Sequence, residues 1–252
     1  MPLLRNKIIE VADVSLRYDR LPVLTDIDLT VFKDDFLVIT GPNGGGKTSL
    51  LRIILGLQLP SRGAVHFYRE GQLAHNLNIG YLPQKNVIDS RFPITVSEVV
   101  FSGLSGSKKI FSRFTKKEQE QVEKMLLLMG LAELRDRPIG QLSGGQLQRT
   151  LLGRALVSDP EILILDDALS AVDTDTEEKI LENLKTLRHG KTNVIIAHRI
   201  STLQNADKII VIDGSRIIEE GNHEELVAQG GMYADLYRRQ LLEKMKKEEY
   251  KL

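Results

Sequence analysis

Cysteine and tryptophan are absent from the 252 residues, and aromatic residues make up only 5% of them. Without cysteine there can be no disulfide, thiolate metal centre or cysteine nucleophile, which fits a reducing cytosol. Net charge is missing too, because 34 Lys and Arg balance 34 Asp and Glu. No global field therefore draws the chain to nucleic acid or to an anionic membrane surface. No apolar stretch approaches the roughly 18 uninterrupted residues of a spanning helix, and MPLLRNKIIE lacks the apolar core of a signal peptide. The chain reads as soluble, with no direct membrane insertion, so any membrane attachment has to come through a protein partner. What is present is 42% hydrophobic content, over a length that supports one substantial domain or two closely packed subdomains.

Short apolar runs bounded by Gly, Pro or Asp recur at Phe36–Ile39, Ile162–Leu165, Val194–Ala197 and Ile209–Ile212. Continuous apolarity suits strands covered on both faces, as in a parallel sheet. Between them lie helical spacings of three and four, such as Val122, Met125, Leu126 and Met129, or Ile180, Leu184 and Leu187. Strand and helix alternation predicts an α/β fold. The first thirty residues differ, since EVADVSLRY and VLTDIDLTVF alternate apolar and polar residues as half-buried antiparallel strands do. Residues 86 to 140 read as an inserted, mainly helical lobe, and residues 241–252 as a solvated charged helix or tail. His66, His75 and His223 are expected at the surface, and Lys108, Lys109, Arg113, Lys116 and Lys117 on a solvated face.

Gly41-Pro42-Asn43-Gly44-Gly45-Gly46-Lys47-Thr48 fits G-x-x-x-x-G-K-[ST] directly after the strand FLVIT and before the helical run from Ser49. Glycines let the backbone curl so that successive N–H groups form an anion nest, and the helix N-terminus adds partial positive charge. Lys47 would neutralise the β and γ phosphates of a nucleotide, and the Thr48 hydroxyl would ligate Mg²⁺. The bland alternative is a chance Gly-rich turn, expected in about one chain of this length in a hundred. The run Ile162–Leu165 ends in Asp166 and Asp167. A buried strand would hold Asp166 at the sheet's C-terminal edge, where a carboxylate can hold Mg²⁺, while Asp167 can face an attacking water. Taken alone this segment could equally be a polar stop to a buried strand.

Leu142-Ser143-Gly144-Gly145-Gln146 resembles the signature of the ABC (ATP-binding cassette) ATPases, in that family's order between the phosphate loop and the acidic strand. Taken alone it is a Gly turn opening a helix. The resemblance covers about residues 8 to 240. It implies an α/β P-loop NTPase core with an N-terminal antiparallel β subdomain and an inserted helical subdomain. The implied layout is one domain over 1–245, with core and β subdomain at about 1–85 and 155–225 and the helical subdomain at about 86–155.

It also implies site roles, residue by residue. Tyr18, in SLRYD, matches the aromatic that stacks on adenine, a contact worth about 1–3 kcal/mol. Its alternative reading is an outward-facing strand tyrosine. Gln84, in YLPQ, matches the glutamine reaching Mg²⁺ and the attacking water, and begins a segment that contacts membrane subunits. Ser170-Ala171-Val172-Asp173 resembles the loop touching the opposite subunit, and His198, in IIAHR, the switch histidine at the γ-phosphate. The resemblance thus implies Asp167, His198 and Gln84 as catalytic residues and Thr48, Gln84 and Asp166 around the metal. Nucleotide contacts fall to Tyr18, the loop from Gly41 to Ser49, and Ser143, Gly144, Gly145 and Gln146. Cofactors would be ATP or ADP with Mg²⁺. Partners would be a second ATPase subunit, most simply a homodimer, and integral membrane permease subunits that hold the chain at the cytoplasmic face.

The resemblance has two textures and one chemical departure. Up to about 158 the text is similar to separate ATPase subunits of zinc or manganese importers. From LDDALSAVD onward it is similar to the ATPase domain of fused multidrug exporters. The chain reads as a mosaic joined near 150 to 165, either a natural recombinant or an engineered chimera without a native transport partner. The departure is Asp167, where the family usually has Glu. One missing methylene draws the carboxylate back by roughly 1.5 Å, and a displacement of about 1 Å can cost around a hundredfold in rate. Slow hydrolysis is the expectation. Some two-chain exporters carry this Asp in their weaker site.

Overall fold

The computed structural model describes residues 5–84, 93–104, 114–167, 180, 184, 188 and 190–249, with backbone only at 244 and 246–249. In chain order the strands are β1 (Lys7–Tyr18), β2 (Leu21–Phe32), β3 (Phe36–Thr40), β4 (Arg62–Arg69), β5 (Gln72–Ala74), β6 (Ile79–Leu82), β7 (Ile162–Asp166), β8 (Thr192–Ile196), β9 (Lys208–Asp213) and β10 (Arg216–Gly221). The helices are α1 (Lys47–Ile54), α2 (Val96–Ser102), α3 (Lys116–Leu128), α4 (Gly144–Leu156), α5 (Ile200–Leu203), α6 (His223–Gln229) and α7 (Met232–Glu249). Two compact units result, one from Met1–Asn76 with Leu184–Leu252 and the other from Leu77–Asn183.

In the first unit, β2, β1, β4 and β5 form an antiparallel sheet in that order. Its strands bury Val11, Val14 and Leu16 of β1 and Leu24, Ile27 and Leu29 of β2, an alternation broken where Asp13 and Asp26 take positive φ. Strands β10, β9, β3 and β8 lie side by side. Here β3 is parallel to both β8 and β9, and β10 closes the edge as an antiparallel hairpin. Leu37, Val38, Ile39, Val194, Ile209, Ile210, Val211 and Ile212 are all buried, so the continuous apolar runs do mark strands covered on both sides.

The C-terminal helix is fastened to this unit at its start. The Glu219 carboxylate accepts hydrogen bonds from the N–H groups of Met232 and Tyr233, satisfying donors that the first turn of a helix cannot pair internally. Tyr233 is buried, its phenol pushed up to about 12 chiefly by burial, and its hydroxyl lies 2.6 Å from the His223 ring Nδ1. His223 is thus half-buried and hydrogen-bonded, not the surface residue its sequence context suggested. His66 is half-buried as well, and His75 is exposed.

In the second unit β6 and β7 run parallel, and α2, α3 and α4 bury Val96, Val100, Val122, Leu126, Leu151 and Leu152. Each of these helices opens with a capping box, at Thr95 with Glu98, Thr115 with Glu118 and Ser143 with Gln146. Such boxes satisfy orphan N–H groups reciprocally. The Thr95 N–H and hydroxyl hold the Glu98 carboxyl below its ordinary value. That cap contributes stability above the unfolded carboxyl pKa, and loses it as pH falls through the folded one. Lys116 and Lys117 are exposed as expected, whereas Lys108, Lys109, Arg113 and Leu187 lie outside the described residues.

Candidate nucleotide site

Sheet register places the phosphate loop. Ile39 pairs with Ile196 of β8, and Thr40 with Val211 of β9. Carrying that parallel register past the strand ends brings Gly41 level with His198 on one side and Ile212 on the other. The loop then turns through backbone that only glycine accommodates, with φ of 131° at Gly41 and 101° at Gly46. A Cβ on Gly41 would stand 2.1 Å from the Ile212 carbonyl oxygen, and one on Gly46 would stand 2.6 Å from that of Val23. Pro42, Asn43 and Gly44 are exposed at the rim, and Gly45 donates to the Pro42 carbonyl at 3.2 Å.

The loop delivers α1 with Gly46 as its cap, and no side chain caps it. The first turn of any helix leaves N–H groups without intrahelical acceptors, so an anion at Lys47, Thr48 and Ser49 meets backbone donors and the positive end of the helix. Lys47 is buried, and its Nζ donates to the Gly41 carbonyl at 2.9 Å and to the Pro42 carbonyl at 2.8 Å. An ammonium inside a glycine-rich turn that opens a helix is a setting suited to a phosphate-bearing anion.

Tyr18 ends β1 with half its surface exposed, and its phenol is hydrogen-bonded to the Gln58 side chain at 2.7–2.9 Å. His198 follows β8 and is half-buried. Its carbonyl accepts from the Gln240 side-chain amide of α7, whose oxygen accepts from the Ile200 N–H at 3.0 Å. Neither Gln58 nor Gln240 carries a motif that sequence reading could have found.

The second unit places Gln84 and Asp167 together. Leu82 pairs with Leu165, so two residues further along each parallel strand the side chains meet, and Gln84 Nε2 donates to Asp167 Oδ2 at 3.1 Å. Asp166 is buried at the end of β7, whereas Asp167 is half-buried with φ of 46°. Asp is one of the few residues that adopt this left-handed conformation readily. The Ser143 hydroxyl accepts from the Gln146 N–H at 3.3 Å, and the Gln146 side-chain oxygen accepts from the Ser143 N–H at 3.0 Å. At Gly144 and Gly145 an added Cβ would meet nothing within 4 Å. Both are helical, in the first turn of α4. Packing and backbone conformation within this chain therefore do not require glycine there. Ser170-Ala171-Val172-Asp173 lies outside the described residues.

Among the described residues no group of three or more His, Cys, Asp and Glu could hold a metal, and no helix is long and apolar enough to cross a membrane. The hydroxyl, amide and carboxylate expected around Mg²⁺, from Thr48, Gln84 and Asp166, are hard oxygen donors. Such a set suits an ion held chiefly by nucleotide phosphates.

Comparison with known proteins agrees with this chemistry. The ABC transporter family profile matches residues 24–170. The probable multidrug resistance ABC transporter ATP-binding/permease protein YheI of Bacillus subtilis is 38% identical over 225 residues, 87% of this chain and 38% of that protein. The zinc uptake system ATP-binding protein ZurA of Listeria monocytogenes is 36% identical, also over 225 residues, 87% of this chain and 88% of that protein. Among solved structures, a bacterial Atm1-family ABC exporter with ATP bound superposes with a TM-score of 0.79 at 29% identity, covering 94% of this chain and 43% of that one. A separate ATP-binding cassette of an ABC transporter, in its ADP conformation, does so with a TM-score of 0.77 at 26% identity, covering 92% and 98%. The chain belongs to the ABC transporter family, as one of its ATP-binding cassettes.

Proposed function

We propose that this cassette, a single domain over residues 1–245 with its helical lobe at about 86–155, binds and hydrolyses ATP as one half of a head-to-tail dimer. Dimer closure and opening would then drive membrane permease subunits. ATP hydrolysis is the activity of the family to which the chain belongs. The observation that carries the reading is the buried Lys47 ammonium held by the Gly41 and Pro42 carbonyls at the mouth of α1. The loop from Gly41 to Ser49 binds the phosphates, Tyr18 stacks on the base, and His198 contacts the γ-phosphate. Mg²⁺, when bound, neutralises charge on the β and γ phosphates. Thr48, Gln84 and Asp166 would hold that ion through oxygen atoms, and Asp167 would orient the attacking water.

The open space around Gly144 and Gly145 supports the dimer, since glycines that this chain's own packing does not need leave room for a partner's phosphate. A groove of about 810 Å³ in the second unit is lined by Phe101, Lys116, Glu120, Lys124, Leu127 and Arg135. Leu127 is 68% exposed there. Permease subunits would be the membrane partner. The chain would then sit at the cytoplasmic face of the membrane through that partner. Similarity to zinc uptake ATPases supports metal-ion import as the transport class.

The short Asp167 carboxylate favours a second reading, a slow ATPase whose ATP-bound dimer acts as a long-lived switch. Asp167→Glu tests it. Restoring the reach should raise the rate of phosphate release about ten- to a hundredfold, or roughly 1.4–2.7 kcal/mol of transition-state stabilisation, with ATP affinity unchanged. The left-handed backbone at 167 should cost the Glu variant about 1 kcal/mol of stability or less. A wild-type rate already equal to that of Glu-bearing relatives would contradict the assignment. Phosphate release per chain that does not rise with protein concentration would contradict the dimer.

A further inference from the structure

We infer that Gln240, far along the chain on the C-terminal helix, is a positioning residue for His198; this rests on the reading of His198 as the γ-phosphate contact. The Gln240 amide grips the chain on both sides of Arg199, its nitrogen donating to the His198 carbonyl and its oxygen accepting from the Ile200 N–H at 3.0 Å. That N–H opens α5, a helix of Ile200–Leu203 whose cap residue, Arg199, supplies no side-chain acceptor. Gln240 therefore serves as the missing cap from another element. One amide fixes two successive peptide groups, and with them the direction in which His198 leaves the end of β8.

The clamp has a rigid mount. Tyr233, Tyr237 and Gln240 are spaced four and three apart and share one face of α7. Tyr233 is fully buried, the Tyr237 hydroxyl accepts from Gln204 Nε2 at 3.4 Å, and Glu219 caps the first turn of α7. Gln204 immediately follows α5, so α7 holds both ends of the short segment that begins at His198. A displacement of about 1 Å in a group contacting the transferred phosphate can cost up to around a hundredfold in rate. Disturbing α7 should therefore be felt at His198 without any change to the phosphate loop.

Gln240→Ala should lower kcat by about tenfold, with KM for ATP within about twofold. In a His198→Ala background the same change should cost nothing more, because what it positions is gone. Gln240→Glu keeps the acceptor for Ile200 and loses the donor to His198, so it should show the same fall in kcat while preserving side-chain size. Independently of activity, the Ile200 amide should be protected from hydrogen exchange in the wild type and exchange at least about tenfold faster in Gln240→Ala. The proposal is overturned by an unprotected wild-type Ile200 amide, by unchanged kcat in both Gln240 variants, or by Gln240→Ala and His198→Ala losses that multiply. If His198→Ala itself leaves kcat unchanged, the γ-phosphate role of His198 falls and the positioning role falls with it, while Ile200 protection still reports the clamp.

Discussion

Lys47→Ala is expected to raise the dissociation constant for ATP by at least about a hundredfold, or roughly 2.7 kcal/mol. The ammonium is buried, and the Gly41 and Pro42 carbonyls hold it at the turn that opens α1. In that position it offers phosphate oxygens a charge-assisted hydrogen bond in a site from which water is partly excluded, where such bonds are about twice as strong as neutral ones. The backbone donors of the loop and the helix end remain in the variant, so a weak residual affinity should persist. Calorimetric titration of wild type and variant with ATP measures the difference. Equal affinities would remove the phosphate loop as the nucleotide site.

Gly145→Asp should abolish hydrolysis while leaving the fold intact. An added Cβ at 145 meets nothing within 4 Å, and the backbone there is helical, so the side chain fits without strain. An aspartate in the first turn of α4 even complements the helix dipole, by about 0.3–1 kcal/mol. Melting temperature should therefore hold or rise slightly, and ATP binding to the isolated chain should be unchanged, because the phosphate loop lies elsewhere. In a closed dimer, however, the new carboxylate would face the partner's γ-phosphate, and like charges at such distances are strongly repulsive in a site from which water is excluded. Phosphate release should fall by at least about a hundredfold. Normal turnover in this variant would show that the signature glycines do not approach a nucleotide.

The parallel strands were legible because burial on both faces writes a continuous apolar run. The phosphate loop was legible because its fixed residues are contiguous and framed by β3 and α1. The helix start after the SGGQ turn was legible too, although the capping box that Ser143 and Gln146 form there was not read from the sequence. What stayed hidden depends on pairing between distant segments. The hydrogen bond from Gln84 to Asp167 follows from the register of Leu82 against Leu165, which no local pattern encodes. The hydrogen bond of half-buried His223 is to Tyr233, ten residues further on a different helix. The Gln240 clamp rests on a single glutamine in a charged helix, a residue type that is ordinarily solvated. The left-handed backbone at Asp167 was also invisible, although it bears on why an Asp is tolerated there.

The central claim, that two copies complete one another's ATP sites, is tested most directly by mixing two inactive variants. Lys47→Ala lacks a working phosphate loop and Gly145→Asp lacks a working signature, so neither homodimer should hydrolyse ATP. A mixed head-to-tail dimer contains one intact site, built from the loop of the Gly145→Asp chain and the signature of the Lys47→Ala chain. Phosphate release should therefore return on mixing, reaching its maximum near equal proportions. A mixture as inactive as its two components at every ratio and protein concentration would contradict the account.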